Sequence, residues 1–462
     1  MIEKDATILK QYTGPLSRSI QDEYAISPEH YRGDVKLGLR NSDGTGVLVG
    51  VSKVGSVQGY LLQDGQRVPI PGQLYYRGIE LTDIVEAHRR AGTFGFEEVA
   101  YLLLMGYLPS KSELVYFDKI MNQARKLPEG FTEGMIMRHP SRSIMNELAR
   151  SVLSLYSYDP DPDNTSIDNM LLQSVKLIGY FPSIVANAYA MQRHYFHGDS
   201  LHIHYPVPEL STAENFLRMM RPDKSYTDEE AHLLDMMLMV HAEHGGGNNS
   251  TFVCRAMSSS GTDTYSAIAG AVGSLKGPLH GGANAKVMEM FHYIKENVDP
   301  RDDGSIKDYL CKLLDGAAGD RSGKLYGLGH AVYTISDPRA VLLKKYAQHM
   351  AEIKGYAGDF ALLQKVETLG IPLIQERRGS DTPMCANVDM YSGLVYTMLG
   401  IPEEVFTPLF ASARIAGWCA NRIEEVVTCH RIMRPAYRAV TTHEKYIPME
   451  ERATHLRLAG VE

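Results

Sequence analysis

The chain has 462 residues, 44% hydrophobic and 22% charged, which allows a large buried core and fits neither a disordered nor a fibrous composition. Lys and Arg number 47 against 55 Asp and Glu, and the resulting net charge of -8 argues against nucleic acid as the main partner. Five scattered cysteines without a CxxC pair point to a reducing compartment, and the acidic start and the lack of an apolar run of ~18 residues argue against a targeting segment or membrane span, so a cytoplasmic soluble protein is expected.

The first 40 residues are polar, with a helix-like run near 12–24. Short β-branched runs follow at 47–51, 57–62, 68–70 and 74–76, and Asp64-Gly65 between two of them predicts a hairpin. This is read as a small N-terminal β element. After Thr82-Asp83 the helical period takes over, with Ile84, Val85 and Ala87, then Val99 to Leu104. Further helices are predicted around 112–126, 143–156, 166–193 and 212–220, with a turn at 158–163.

Thr227-Asp-Glu-Glu230 forms a capping box for an apolar helix running into His241-Ala-Glu-His244, before Gly245-Gly-Gly247 ends it. Leu233, Met237, Val240 and His244 share helical spacing. His244 then reads either as a core histidine bonded to a carbonyl or as a ligand-facing one at a helix C-terminus, where the dipole favours a cation suited to an anionic substrate. A metal pair of His241 and His244 has permissible i, i+3 spacing, but the glycines supply no further ligand.

A Ser/Thr/Gly-rich loop at 258–266 and a helix at 267–275 lead to Gly277-Pro-Leu-His280-Gly-Gly-Ala-Asn284. The glycine pair permits backbone angles barred to other residues, and Asn284 is a good N-cap for the next amphipathic helix. His280 then sits at a helix mouth, where partial positive charge keeps an imidazole neutral and able to donate to a developing oxyanion. A short helix at 306–314 precedes Lys324-Leu-Tyr-Gly-Leu-Gly-His330, whose glycines let backbone approach a ligand, while Arg321 and Lys324 suit phosphates or simply a solvated loop.

Asp337-Pro338-Arg339 starts another helix with Asp as N-cap and Pro at the first position, placing Arg339 where a cation is disfavoured. It is kept either for a carboxylate ligand or for an ordinary salt bridge. Asp389 reads as a cap, or as a general base if burial raises its pKa beside Val388 and Met390. In the last long helix, Arg414 lies in an apolar run with the only Trp, where a guanidinium must reach solvent or meet an anion. Arg422 shares its face, with Glu424 and Glu425 as ready structural partners.

Taken in order, HAEHGGGNNSTF, GPLHGGANAKVMEMF, GLGHAVYTISDPRA, ANVDMYSG and ASARIAGW resemble the signature segments of the citrate synthase family, over most of the chain from about Tyr75 to about Arg422. The resemblance implies a mainly α, two-domain helical fold with a small N-terminal β element. It divides the chain into a large domain of 1–280 and 393–462 and a small one of 281–392, closing over a cleft in a homodimer. It also implies condensation of acetyl-CoA with oxaloacetate, then thioester hydrolysis to citrate and CoA, with acetyl-CoA as substrate and neither metal nor cofactor. By position, Asp389 abstracts the α-proton, His280 stabilises the enol and His330 polarises the ketone. His244, Arg339 and Arg414 bind the oxaloacetate carboxylates, with Arg422 contributing across the dimer. Lys324, Leu325, Tyr326, Gly327 and Gly329 lie along CoA. Two places depart from the family pattern: Ala331 stands where many bacterial members have arginine, and Gly245-Gly-Gly247 replaces a more polar continuation. The propionyl-CoA enzyme 2-methylcitrate synthase shares the motifs and is the alternative, since one methylene changes binding by only about 1–3 kcal/mol. Two other classes are a metal-dependent hydrolase using His241 and His244, and a non-catalytic metabolite-binding relative.

Overall fold

The computed structural model describes residues 17, 20, 24–42, 44–63, 66–379, 382–441, 443 and 445–452. Residues 51–433 form one compact unit, and 1–50 with 434–462 form another. In the latter, the described residues make short 3-10 turns at Pro28–Tyr31, Leu37–Leu39 and Met449–Glu451, and none is buried. Most of the helix expected near 12–24 lies outside the described residues. So does Asp64-Gly65, although the strands on either side pair as a hairpin would require.

The large unit opens with a three-stranded antiparallel sheet, β1 (Gly55–Gln63), β2 (Gln66–Tyr76) and β3 (Ile79–Glu80), with Gln63 opposite Gln66. The runs at 68–70 and 74–76 are thus a single strand. Residues 47–51 are not a strand: Leu48 and Val51 are 87% and 88% exposed, so their β propensity finds no partner or buried face.

Helices follow for the rest of the unit: α1 (Leu81–Ala91), α2 (Phe96–Met105), α3 (Lys111–Ala124), α4 (Ile144–Leu155), α5 (Ile167–His197), α6 (Thr212–Met220), α7 (Asp228–His241) and α8 (Asn249–Ser258). Then come α9 (Thr264–Leu275), α10 (Ala283–Asn297), α11 (Asp303–Leu314), α12 (Pro338–Ile353), α13 (Ala357–Arg378), α14 (Asp389–Met398) and α15 (Phe406–Thr428). The fold is mainly α, as the periodicity implies. Among the described residues no helix is long and apolar enough to cross a membrane.

The caps follow from the sequence. Thr227 and Glu230 form the expected capping box on α7, and Asp337 caps α12 by accepting from the Arg339 N–H. Two expectations change. α7 ends at His241, so His244 lies past the helix rather than on its stripe, and the reading of it as a helix-end histidine is not met. The N-cap of α10 is Gly282 rather than Asn284, because the 277–282 turn already coils the chain, with the His280 N–H donating to Gly277 O at 2.9 Å. The glycines there are required for space instead of for positive φ: a Cβ on Gly281 would stand 2.6 Å from Leu275 O.

α15 forms the spine of the core. It packs on α5, α8, α9, α2 and α7, with Trp418 fully buried. α8 went unread in the sequence because its Asn/Ser/Thr-rich start resembles a continued loop.

Candidate active site

Five separate segments converge: the end of α7 with His241 and the loop after it with His244, the 277–282 turn with His280, the loop before α12 with His330, the start of α14 with Asp389, and the middle of α15 with Arg414. The His244 and His330 rings meet edge-on, with centroids 5.2 Å apart.

The loop holding His330 is tied to the one leading to Asp389. Leu328 pairs with Ala386, the Gly329 N–H donates to Cys385 O at 2.8 Å, and the Asn387 N–H donates to Gly327 O at 2.9 Å. Gly327 and Gly329 take φ of +82° and +98°, which this tight return requires. Asn387 Oδ1 then accepts from the Asp389 N–H, so one small bridge places both residues.

His330 Nδ1 accepts from the backbone N–H groups of Val332 and Tyr333 at 3.1 and 3.0 Å. Backbone nitrogens can only donate, so the ring proton lies on Nε2 and that edge is a hydrogen-bond donor. Tyr333 stacks on the ring at 4.5 Å. Burial, with Arg339 next, lowers the pKa of His330 to about 4.

His280 is wired the opposite way. The Ser250 N–H donates to Nε2 at 3.3 Å, and Ser250 Oγ lies 2.9 Å from the same nitrogen. Trp418 Nε1–H in turn donates to Ser250 Oγ at 3.1 Å. The proton of His280 is therefore on Nδ1. Its pKa is lowered to about 4 by burial first and Arg414 second, so burial, which the helix-mouth argument did not weigh, suffices to keep this ring neutral.

Arg414 is completely buried. Nε donates to His241 O at 2.6 Å, the guanidinium lies over the Phe410 ring, and neither Nη1 nor Nη2 has a partner. Burial lowers its pKa to about 10, opposed by Glu243. His244 Nε2 and both ring nitrogens of His241 are likewise buried without partners. Burial and Arg339 hold His244 well below the ordinary histidine range. This overturns the charged reading of His244 and leaves a neutral imidazole. Unpaired buried donors cost about 1–3 kcal/mol each and more when charged, so an anionic, oxygen-rich group is what this cluster could satisfy itself with.

Arg339 is also buried but is held by Asp337, with Nε and Nη2 donating to the two carboxylate oxygens at 3.0 and 2.7 Å. Burial opposes its charge, and Asp337 more than offsets that, so its pKa is raised. The salt-bridge reading of Arg339 thus holds for these two nitrogens, and Nη1 lies outside the pair. Asp389 is partly exposed as a residue, yet desolvation of its carboxyl, opposed by Arg339, raises its pKa to about 6.

Arg422 does not join this cluster. Nε, Nη1 and Nη2 donate to Thr264 Oγ1, Ser258 Oγ and Thr262 O at 3.0, 3.0 and 2.8 Å, tying α15 to the α8–α9 loop. Glu424 and Glu425 instead take Arg255 as their partner. In the segment expected along CoA, Leu325 is turned into the core, whereas Lys324 and Tyr326 line a surface cleft with Lys286, Glu289, Tyr293 and Asp320. Among the described residues no three His, Cys, Asp or Glu are grouped so as to hold a metal ion.

Ser250 and Tyr333 were not singled out in the sequence, and Asp337 was read there only as the cap of α12. Trp418, four residues after Arg414 on the same helical face, was the available signal for the His280 support.

The family model for the citrate synthase C-terminal domain matches residues 43–436. The citrate synthase of Haloferax volcanii is 33% identical over 91% of this chain and all of its own length, and that of Deinococcus radiodurans 36% over 77% and 88%. The 2-methylcitrate synthase of Shewanella oneidensis is 30% identical over 82% of this chain and 92% of its own. Among solved structures, citrate synthase of Thermoplasma acidophilum in ternary complex with carboxymethyl coenzyme A and oxaloacetate is similar at a TM-score of 0.74 and 26% identity, over 91% of this chain and all of that one.

Proposed function

The chain belongs to the citrate synthase family, and on that premise we propose that it joins the methyl carbon of acetyl-CoA to the ketone of oxaloacetate and hydrolyses the thioester, releasing citrate and CoA. The observation that carries this reading is the opposed wiring of two neutral imidazoles, one donating through Nδ1 and the other through Nε2, beside a carboxyl with a pKa of about 6. Condensation needs a base for a weakly acidic C–H and a donor at each of two oxygens that gain negative charge.

Asp389 removes the methyl proton. His280 Nδ1–H donates to the thioester oxygen as the enol forms, and His330 Nε2–H donates to the ketone oxygen as the carbon–carbon bond forms. Both rings are neutral near pH 7, so each donates without first losing a charge. The free Nη groups of Arg414, with His244 and Arg339, receive the oxaloacetate carboxylates. Arg422 is left out of that set, because its donors are already engaged. Lys324 and Tyr326, with the backbone at Gly327 and Gly329, run along CoA, and Leu325 serves packing. Closure of 281–392 over the rest of the chain excludes water until the new bond has formed. We place the enzyme in the cytoplasm as a homodimer feeding the tricarboxylic acid cycle, on the strength of the family resemblance.

The test is CoA release with acetyl-CoA or propionyl-CoA, with and without oxaloacetate and chelator, in the wild type and in Asp389→Asn. Release should need oxaloacetate, resist chelator, run faster with acetyl-CoA and fall by about 10²–10⁴ in the variant. Faster turnover of propionyl-CoA would assign the 2-methylcitrate reaction instead. Release that ignores oxaloacetate would sink the reading.

A further inference from the structure

Two glycines of the N-terminal hairpin stand where an added side chain would run into backbone. Gly59 lies at the register shift between Gln58 and Tyr60, and a Cβ on it would be 2.4 Å from Val332 O and 3.1 Å from Tyr333 Cα. Across the hairpin, a Cβ on Gly72 would be 2.1 Å from Ser336 O and 2.6 Å from the Tyr333 ring. The Gly72 N–H donates to Ser336 O at 3.1 Å and lies 3.2 Å from Ser336 Oγ. Gly55 differs, since its Cβ would meet a side chain, Glu243 Cγ at 2.8 Å, rather than backbone. A bulge bends a strand, and a strand glycine marks close approach of another backbone. Both features here fall on the segment carrying His330.

We propose that the β1–β2 hairpin is the seat that fixes the orientation of His330, with Gly59 and Gly72 as positioning residues that act through Val332, Tyr333 and Ser336. The Val332 and Tyr333 amides that hold His330 Nδ1 belong to the stretch pressed into the glycine gaps. A methyl group at either glycine displaces that stretch. The amides then lose their aim, the Tyr333 ring shifts off His330, and the Nε2–H edge is no longer held toward a substrate. The inference rests on the synthase reading only for what His330 donates to.

The experiment compares Gly59→Ala, Gly72→Ala, His330→Gln and Gly273→Ala, a control site where an added Cβ meets nothing within 4 Å. Two quantities are read: CoA-release kinetics, and NMR titration of labelled imidazoles, with His330→Gln assigning the signal. Both hairpin variants are expected to keep the circular dichroism of the wild type and its KM for acetyl-CoA, and to lose about tenfold or more in kcat. Their His330 signal should titrate nearer the ordinary histidine range than the wild-type value of about 4. Gly273→Ala should match the wild type in both. Folded hairpin variants with unchanged kcat and an unmoved His330 titration would overturn the seat. If the wild type releases no CoA, the synthase reading fails while the titration still decides the seat. Should both alanine variants fail to fold, Ser336→Ala and Tyr333→Phe remove ties without adding bulk, and an unmoved His330 titration in both would equally overturn it.

Discussion

Arg414 and Asp389 are each held in a state that the fold alone does not favour. The two Nη groups of Arg414 are buried without a partner, which weakens the fold, and the proposed function has a dicarboxylate satisfy them. Arg414→Met is therefore expected to leave thermal stability unchanged or raised, to abolish the thermal shift produced by oxaloacetate, and to cost about 2–5 kcal/mol in its binding. A melting series with and without oxaloacetate checks both. For Asp389 the folded pKa of about 6 stands above that of the unfolded carboxyl, so the group's contribution to stability is full below the unfolded value and is lost as pH rises through about 6. Asp389→Asn should consequently raise the melting temperature near pH 8, by about 1–3 kcal/mol of stability, and have little effect at about pH 4. In the wild type the same ionisation should make kcat/KM fall as pH drops below about 6, because the base must be charged to accept a proton. These residue types were legible in the sequence as a pattern of His, Arg and Asp at loop and helix ends. The tautomers were not, since they depend on which distant backbone nitrogen meets each ring.

At the scale of elements, the site is assembled from helix ends and the loops between them. Asp337 illustrates how one residue can join three of them: it caps α12, holds Arg339 at 3.0 and 2.7 Å, and accepts from the Val388 N–H before α14 at 3.2 Å. Removing it leaves a buried guanidinium unpaired. Asp337→Ala is expected to destabilise the protein by about 3–5 kcal/mol, measured by thermal or denaturant unfolding, and an unfolding midpoint equal to that of the wild type would contradict the joint. The cap on α12 is written in the local order Asp-Pro-Arg, as is the capping box of α7, and both were read from sequence. The reach of α7 was overestimated because apolar spacing continues past its last helical turn. The single-strand nature of β2 was missed because Pro69, Pro71 and Gly72 interrupt its pattern, which a strand tolerates only beside a bulge or edge.

For the molecule as a whole, the synthase reading predicts an assembly. Analytical ultracentrifugation should give about twice the chain mass, the two-fold homodimer being the commonest closed symmetry, and a monomer at assay concentrations would remove the dimer from the proposal. The sequence by itself determined the mainly α class, most helix limits, the family and nearly every residue of the cluster, because periodicity, caps and motif spacing are local properties of the chain. Only the tertiary structure decided which charges are free. Arg414 and Arg422 share one face of one helix. One faces the cluster with two empty donors, and the other is consumed by Ser258, Thr262 and Thr264. Likewise, only the fold brought Gly59 and Gly72 against a segment more than 150 residues away, since close backbone approach depends on what packs opposite a glycine and leaves no mark on the glycine's own neighbours.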